Sequence, residues 1–203
     1  MMQFNEIGFR NANHNIWMFT KQSMIEEFSI YPGYEQANLV VGYGYIDHEE
    51  GFIFEILGLA KKTEESYMFY ESIPDVSFKL CLGSILEEDF MYIDIEQPEL
   101  QNTYHEQIEH INTRYRVNTE IETIRSMNEL DAYRDIEYPD NLQVYLFKEG
   151  FSYEIVYVRS ESLSSHCLRC ILLNEPYQEL GIHRNEWIDV YFDPDNNILY
   201  SEV

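Results

Sequence analysis

Residues 38–56 read Asn-Leu-Val-Val-Gly-Tyr-Gly-Tyr-Ile-Asp-His-Glu-Glu-Gly-Phe-Ile-Phe-Glu-Ile. Two β-branched and aromatic runs meet at a polar, glycine-containing break, and that pattern predicts a β-hairpin. The chain repeats it. Asn141-Leu142-Gln143-Val144 echoes Asn38-Leu39-Val40-Val41 at an offset of 103 residues. Glu149-Gly150-Phe151-Ser152-Tyr153-Glu154-Ile155 echoes Glu50-Gly51-Phe52-Ile53-Phe54-Glu55-Ile56 at an offset of 99. Upstream, Ser23-Met24-Ile25-Glu26 recurs as Ser126-Met127-Asn128-Glu129, again 103 residues on. Three blocks in one order point to a tandem duplication, with four extra residues in the first hairpin.

Local chemistry makes the repeated blocks intelligible. Each Ser-x-x-Glu matches a capping box, in which serine covers an early amide and glutamate reaches back to the cap residue. Helices are therefore expected to begin at Ser23 and Ser126. They should stop before Tyr31-Pro32 and Tyr138-Pro139, because the residue ahead of proline is pushed out of the α region. Strands are expected near 15–20, 37–47, 51–60, 66–72, 76–82 and 89–95 in the first copy. In the second they fall near 119–124, 142–147, 151–159, 166–173, 187–192 and 198–202. Asp193-Pro194-Asp195-Asn196-Asn197 supplies the turn of the last hairpin.

Between the copies, Pro98 suits a first helical position and Glu99 complements the dipole. Leu100, Tyr104, Ile108, Ile111 and Tyr115 then form one apolar stripe, predicting a linking helix near 98–115. The expected fold class is α+β and mostly antiparallel sheet: two tandem strand–helix–antiparallel meander modules. Residues 1–116 form the first module with its linking helix, and 117–203 form the second. In outline this order is similar to the duplicated saddle folds that share one curved sheet.

The charge narrows the function. With 37 acidic against 13 basic residues, the chain carries a formal net charge of -24, well beyond the roughly 2–8 usual for a small domain. The excess is spread along the chain, so the whole surface is expected to be negative. Such a field repels phosphate backbones and anionic headgroups and attracts basic proteins. Nucleic acid and membrane are thus excluded as expected partners. No run approaches the 18 or more apolar residues of a membrane span, and the first residues lack the pattern of a secretory signal. Three cysteines, Cys81, Cys167 and Cys170, are too few for a disulfide framework. The expected setting is the reducing cytoplasm.

Motifs for chemistry fall short. The histidines of His105-Glu106-Gln107-Ile108-Glu109-His110 stand at i and i+5, roughly 140° apart at about 100° per residue. A zinc-protease helix needs them at i and i+4. Cys167-Leu168-Arg169-Cys170 lacks the second ligand pair of a zinc site, and Ile171-Leu172-Leu173 after it reads as strand rather than as a redox helix. The turn at 193–197 has no later glycine and bidentate glutamate, as a calcium loop requires. Gly42-Tyr43-Gly44 opens no helix, so no dinucleotide is expected there. Asp47-His48-Glu49-Glu50 is a cluster of potential ligands or bases, but it falls at the hairpin turn, where polarity is expected anyway. No catalytic residue, metal or cofactor is assigned.

What remains is binding. A small, acidic, β-rich cytoplasmic chain without catalytic motifs resembles, in general character, the bacterial immunity proteins that neutralise basic nuclease toxins, and also DNA mimics. No motif carries that resemblance. It implies a non-enzymatic, inhibitor-like binding protein for a basic protein partner. The contacts are expected among acids in or beside the meander strands, namely Glu49, Glu50, Asp89, Asp94, Glu186 and Asp189. Tyr43, Tyr45, Tyr92 and Tyr191 lie in the same strands and are the expected anchors. The alternatives are a regulatory module holding a small ligand and an enzyme with a dispersed carboxylate site.

Overall fold

A computed structural model describes residues 3–20, 26–64, 66–73, 76–85, 89–93 and 98–203. The chain divides into two compact units, Met1–Arg116 and Val117–Val203. Helices accompany many strands, and among the described residues all the strand pairings but one are antiparallel.

In the first unit, α1 (Phe4–Ile7) and α2 (Phe9–Ala12) precede β1 (Asn15–Phe19). The hairpin β2 (Leu39–Asp47) and β3 (Gly51–Lys62) follows, then β4 (Tyr67–Phe69), β5 (Lys79–Cys81), β6 (Phe90–Ile93) and α3 (Pro98–Arg114). The sheet order is β4-β3-β2-β1-β6, with β5 on the other half of the long β3. Both faces of this sheet are covered. Phe19, Val40, Phe52, Phe54, Ile56 and Phe90 pack with Phe4, Ile7 and Phe28 on one side. Val41, Tyr43, Tyr45, Ile53 and Leu57 pack under Leu100, Tyr104, Ile108 and Ile111 of α3 on the other. A central strand covered twice reads as a continuous apolar run rather than an alternation. Glycine is needed here for space: a Cβ on Gly44 would lie 2.4 Å from the Ala12 carbonyl oxygen.

The second unit opens with α4 (Thr119–Ser126) and a 3-10 turn, Asn128–Tyr133. Five strands follow: β7 (Asn141–Phe147), β8 (Glu154–Leu163), β9 (Leu168–Leu172), β10 (Trp187–Asp193) and β11 (Ile198–Glu202). They meander in sequence and close into a barrel through β11 and β7. Strand direction flips at every turn, so the first and fifth strands point the same way and closure has to be parallel, as it is. The buried interior is aliphatic: Leu142, Val144, Leu146, Val156, Val158, Leu172, Ile188, Val190 and Leu199, with Cys170. A five-stranded barrel is narrower than the eight-stranded kind whose interior side chains just fill. Rings are left to the outside.

Several expectations need correction. Residues 119–124 form a helix rather than a strand: the Asn118 side chain accepts the Ile121 amide, and Glu120 and Glu122 favour the first turn. Ser126 ends that helix instead of starting one, and its hydroxyl donates back to the Thr123 carbonyl. Ser23 lies outside the described residues. Strand β8 starts at Glu154, later than expected, because Lys148–Phe151 is a turn. The units share the hairpin with its positive-φ glycine, Gly51 at 86° and Gly150 at 85°. Their sheets are otherwise ordered differently.

Candidate functional site

The outer wall of the barrel carries the rings that its interior excludes. Along β7, Leu142, Val144 and Leu146 point inward, which turns Tyr145 and Phe147 outward. The same alternation on β8, β10 and β11 turns out Ile155, Tyr157, Tyr191 and Tyr200. The register aligns them. Tyr191 faces Tyr200, Tyr200 faces Tyr145, and Tyr145 faces Ile155, one row across four strands. The rings touch along it. Centroids lie 5.7 Å apart for Tyr191–Tyr200, 6.3 Å for Tyr200–Phe147, 6.3 Å for Phe147–Tyr153 and 5.4 Å for Tyr153–Tyr145. Tyr153, from the β7–β8 turn, is 58% exposed, and Phe147, Tyr157 and Tyr191 are also open to solvent.

Carboxylates edge this wall. Glu202 pairs in register with Phe147 at the end of β11, and Asp189 precedes Tyr191 on the same face of β10. The Tyr191 phenol is held above its ordinary value, first by desolvation and then by neighbours that include Cys167, Asp189, Tyr200 and Glu202. Asp189 also meets Arg169 at 3.0 Å, and that guanidinium lies 5.4 Å from the centre of the exposed Trp187 ring. The wall is aromatic at its centre, with Glu202 and the Asp189–Arg169 pair at its margin.

Of the residues expected to bind, Asp189 and Tyr191 lie on this wall. Glu186 stands exposed just before β10, where its carboxylate accepts the His183 amide. In the first unit, Glu49 and Glu50 are exposed at the β2–β3 turn, where Asp47 accepts both their amides. Glu50 also pairs with Lys79 at 3.4 Å. Asp89 is exposed beside β6, and Tyr92 is half exposed with its ring 5.3 Å from that of Trp17. Asp94 lies outside the described residues. Tyr43 and Tyr45 are corrections: both are 1% exposed under α3, because β2 is covered on both faces, and neither ring can anchor a partner. The Tyr43 hydroxyl donates to Asn112, and the Tyr45 hydroxyl to Glu55. Sequence reasoning missed Tyr145, Phe147, Tyr153, Tyr200 and Glu202. The signal was present in β7, where aliphatic and aromatic residues alternate.

The motifs considered for chemistry take structural places. His105 pairs with Glu109 at 3.6 Å on an exposed face of α3. Asp193 accepts the amides of Asp195 and Asn196, which shapes the β10–β11 turn. Cys170 sits inside the barrel and its thiol is pushed up by burial, while Cys167 lies before the strand, beside the Ser164 hydroxyl. Among the described residues no cluster of three or more His, Cys, Asp or Glu is placed to hold a metal, and no helix is long and apolar enough to cross a membrane. No protein-family model, curated protein or solved structure matches the chain.

Proposed function

We propose that the chain is a non-enzymatic binding protein, inhibitor-like in action, whose second unit presents the aromatic outer wall of its barrel to a basic protein partner. The observation that carries this reading is the row Tyr191–Tyr200–Phe147–Tyr153 on the outer wall, edged by Glu202 and the Asp189–Arg169 pair. The row is exposed at Tyr191, Phe147 and Tyr153 and half-buried at Tyr200. Contiguous rings on a monomer's surface mark an interaction site, and tyrosine is a favoured anchor. Charge selects the occupant. Two copies of a chain carrying -24 repel one another, whereas a cationic surface is drawn in.

The tandem-module origin belongs to the same reading and rests on the three ordered sequence blocks and the shared positive-φ glycine hairpin. The expected setting remains the reducing cytoplasm, in keeping with the three free thiols. The test is affinity capture from a native cytoplasmic extract, with the wild type and a Phe147→Ser/Tyr200→Ser variant as baits. The reading expects a basic protein held by the wild type and lost from the variant. A partner that is neutral or acidic, or that the variant holds equally well, overturns it; so does a chain that dimerises through this wall.

A further inference from the structure

A second place in the molecule has the make-up of a ligand site, and it lies wholly within the first unit. A cleft of about 480 Å³ opens between α3, β3 and the segment before β5. That is within the several-hundred-Å³ range of small-molecule sites. Its floor is Glu55, which β3 carries into the interior at 6% exposure. Glu55 accepts hydrogen bonds from the Ser77 hydroxyl at 2.9 Å and the Tyr45 hydroxyl at 3.3 Å. Both partners are neutral. A buried carboxylate is costly unless a cation or several donors answer its charge, and two hydroxyls are a partial answer. The Tyr45 and Tyr31 phenols both feel it: burial raises their pKa first, and the Glu55 charge adds to the shift.

An independent observation points to the same ligand. Gln107 projects from α3 into the cleft, and its amide nitrogen lies 3.5 Å from the Ile56 carbonyl oxygen. Its Oε1 is buried and has no hydrogen-bond donor. Gln107 Oε1 and the Glu55 carboxylate thus line one cleft. Among the described residues neither accepts a hydrogen bond from a cationic side chain. Lys79, opposite Glu55 in register, is turned to Glu50, so a donor-rich, positively charged group would answer both acceptors. Ile73, Val76 and Ile111 give the cleft an apolar wall that suits an alkyl stem. Glu106, His110 and Arg114 follow at i, i+4 and i+8 along α3 and form its rim.

We propose that this cleft binds a small organic cation, an alkyl ammonium or guanidinium whose head donates to Glu55 and to Gln107 Oε1 while its stem lies on Ile73, Val76 and Ile111. The proposal is independent of the barrel wall. Isothermal titration with agmatine and putrescine tests it, with 1,4-butanediol as the uncharged counterpart of the diamine. The wild type should bind at least one of the cations saturably and butanediol not at all. Glu55→Gln keeps the shape and removes the charge, and should weaken binding at least about tenfold. Glu109→Gln removes one exposed charge outside the cleft and should leave binding unchanged. If Glu55→Gln lowers the melting temperature too far for titration, Gln107→Leu takes its place, and it should weaken binding about threefold or more. Absence of saturable binding overturns the proposal. So does an equal effect of Glu55→Gln and Glu109→Gln, which would mark a general attraction to the acidic surface.

Discussion

The Arg125 guanidinium grips the Asp140 carboxylate with two parallel hydrogen bonds, Nε to Oδ1 at 2.9 Å and Nη2 to Oδ2 at 2.7 Å, and both side chains are buried. This pair ties the last turn of α4 to the residue before β7. Removing Asp140 takes away the close, two-pronged partner of the buried Arg125 guanidinium and leaves the longer contact to half-exposed Glu122 at 3.4 Å. Asp140→Ala should therefore cost the second unit about 3 kcal/mol. Replacing both, as Arg125→Met/Asp140→Leu, should cost clearly less. Urea unfolding of the three proteins decides it, and equal losses would refute the account of the pair.

Alkali should attack the first unit through its phenols. Burial raises the pKa of Tyr31, Tyr43, Tyr45 and Tyr104 above the ordinary 10.0, as the first cause in each case. Their stabilising effect is whole below that ordinary value. It is lost as pH climbs past about 10, where the unfolded chain releases protons that the folded chain keeps. Circular dichroism and tyrosinate absorbance, followed together, should show these phenols ionising in step with loss of structure. Tyrosinate forming fully while the fold persists would contradict the burial argument.

The cysteines should separate by place rather than by their C-x-x-C spacing. Cys81 is exposed and Cys167 partly so, while Cys170 faces the barrel interior with its thiol pushed up by desolvation. A thiol-reactive disulfide reagent should modify Cys81 and Cys167 in the native protein, and Cys170 only after unfolding. Three equal native rates would mean that the barrel opens far more readily than its aliphatic core implies.

How far the sequence led can be argued from particular elements. The β2–β3 and β10–β11 hairpins were legible because turn chemistry and β-rich flanks are local signals. So was α3, whose apolar stripe from Leu100 to Ile111 is what the sheet buries. Helix α4 was misread because Thr119-Glu120-Ile121-Glu122-Thr123-Ile124 alternates like a strand. The buried positions Ile121 and Ile124 are equally a helical i, i+3 pair, and the Asn118 cap decides for the helix. Tyr43 and Tyr45 were misplaced because a strand's own pattern does not reveal that a distant helix will cover its second face. The aromatic row was hidden for a related reason. Tyr200 meets Tyr145 through a parallel pairing between the first and last strands of the barrel, which no local pattern announces.

Stability and recognition should part company on the barrel wall. Phe147 and Tyr200 touch other rings but stand outside the core, so Phe147→Ser and Tyr200→Ser should each change unfolding free energy by about 1 kcal/mol or less. Glu202→Lys should be close to neutral for stability. A loss as large as that of a core truncation, roughly 2–5 kcal/mol, would make these rings structural rather than a binding surface.

The central claim is that aromatic contact and acidic charge act together on one wall to take a basic partner. Its most direct measurement is the association rate of the captured partner with the wild type and with Glu202→Lys, followed by stopped flow across a salt series. The Debye length shrinks from about 30 Å at 0.01 M salt to about 10 Å at 0.1 M. The account predicts that the wild-type rate falls steeply over that range and that Glu202→Lys starts lower and falls less. A rate that is indifferent to salt and to Glu202 would contradict it, leaving the acidic surface without a part in recognition.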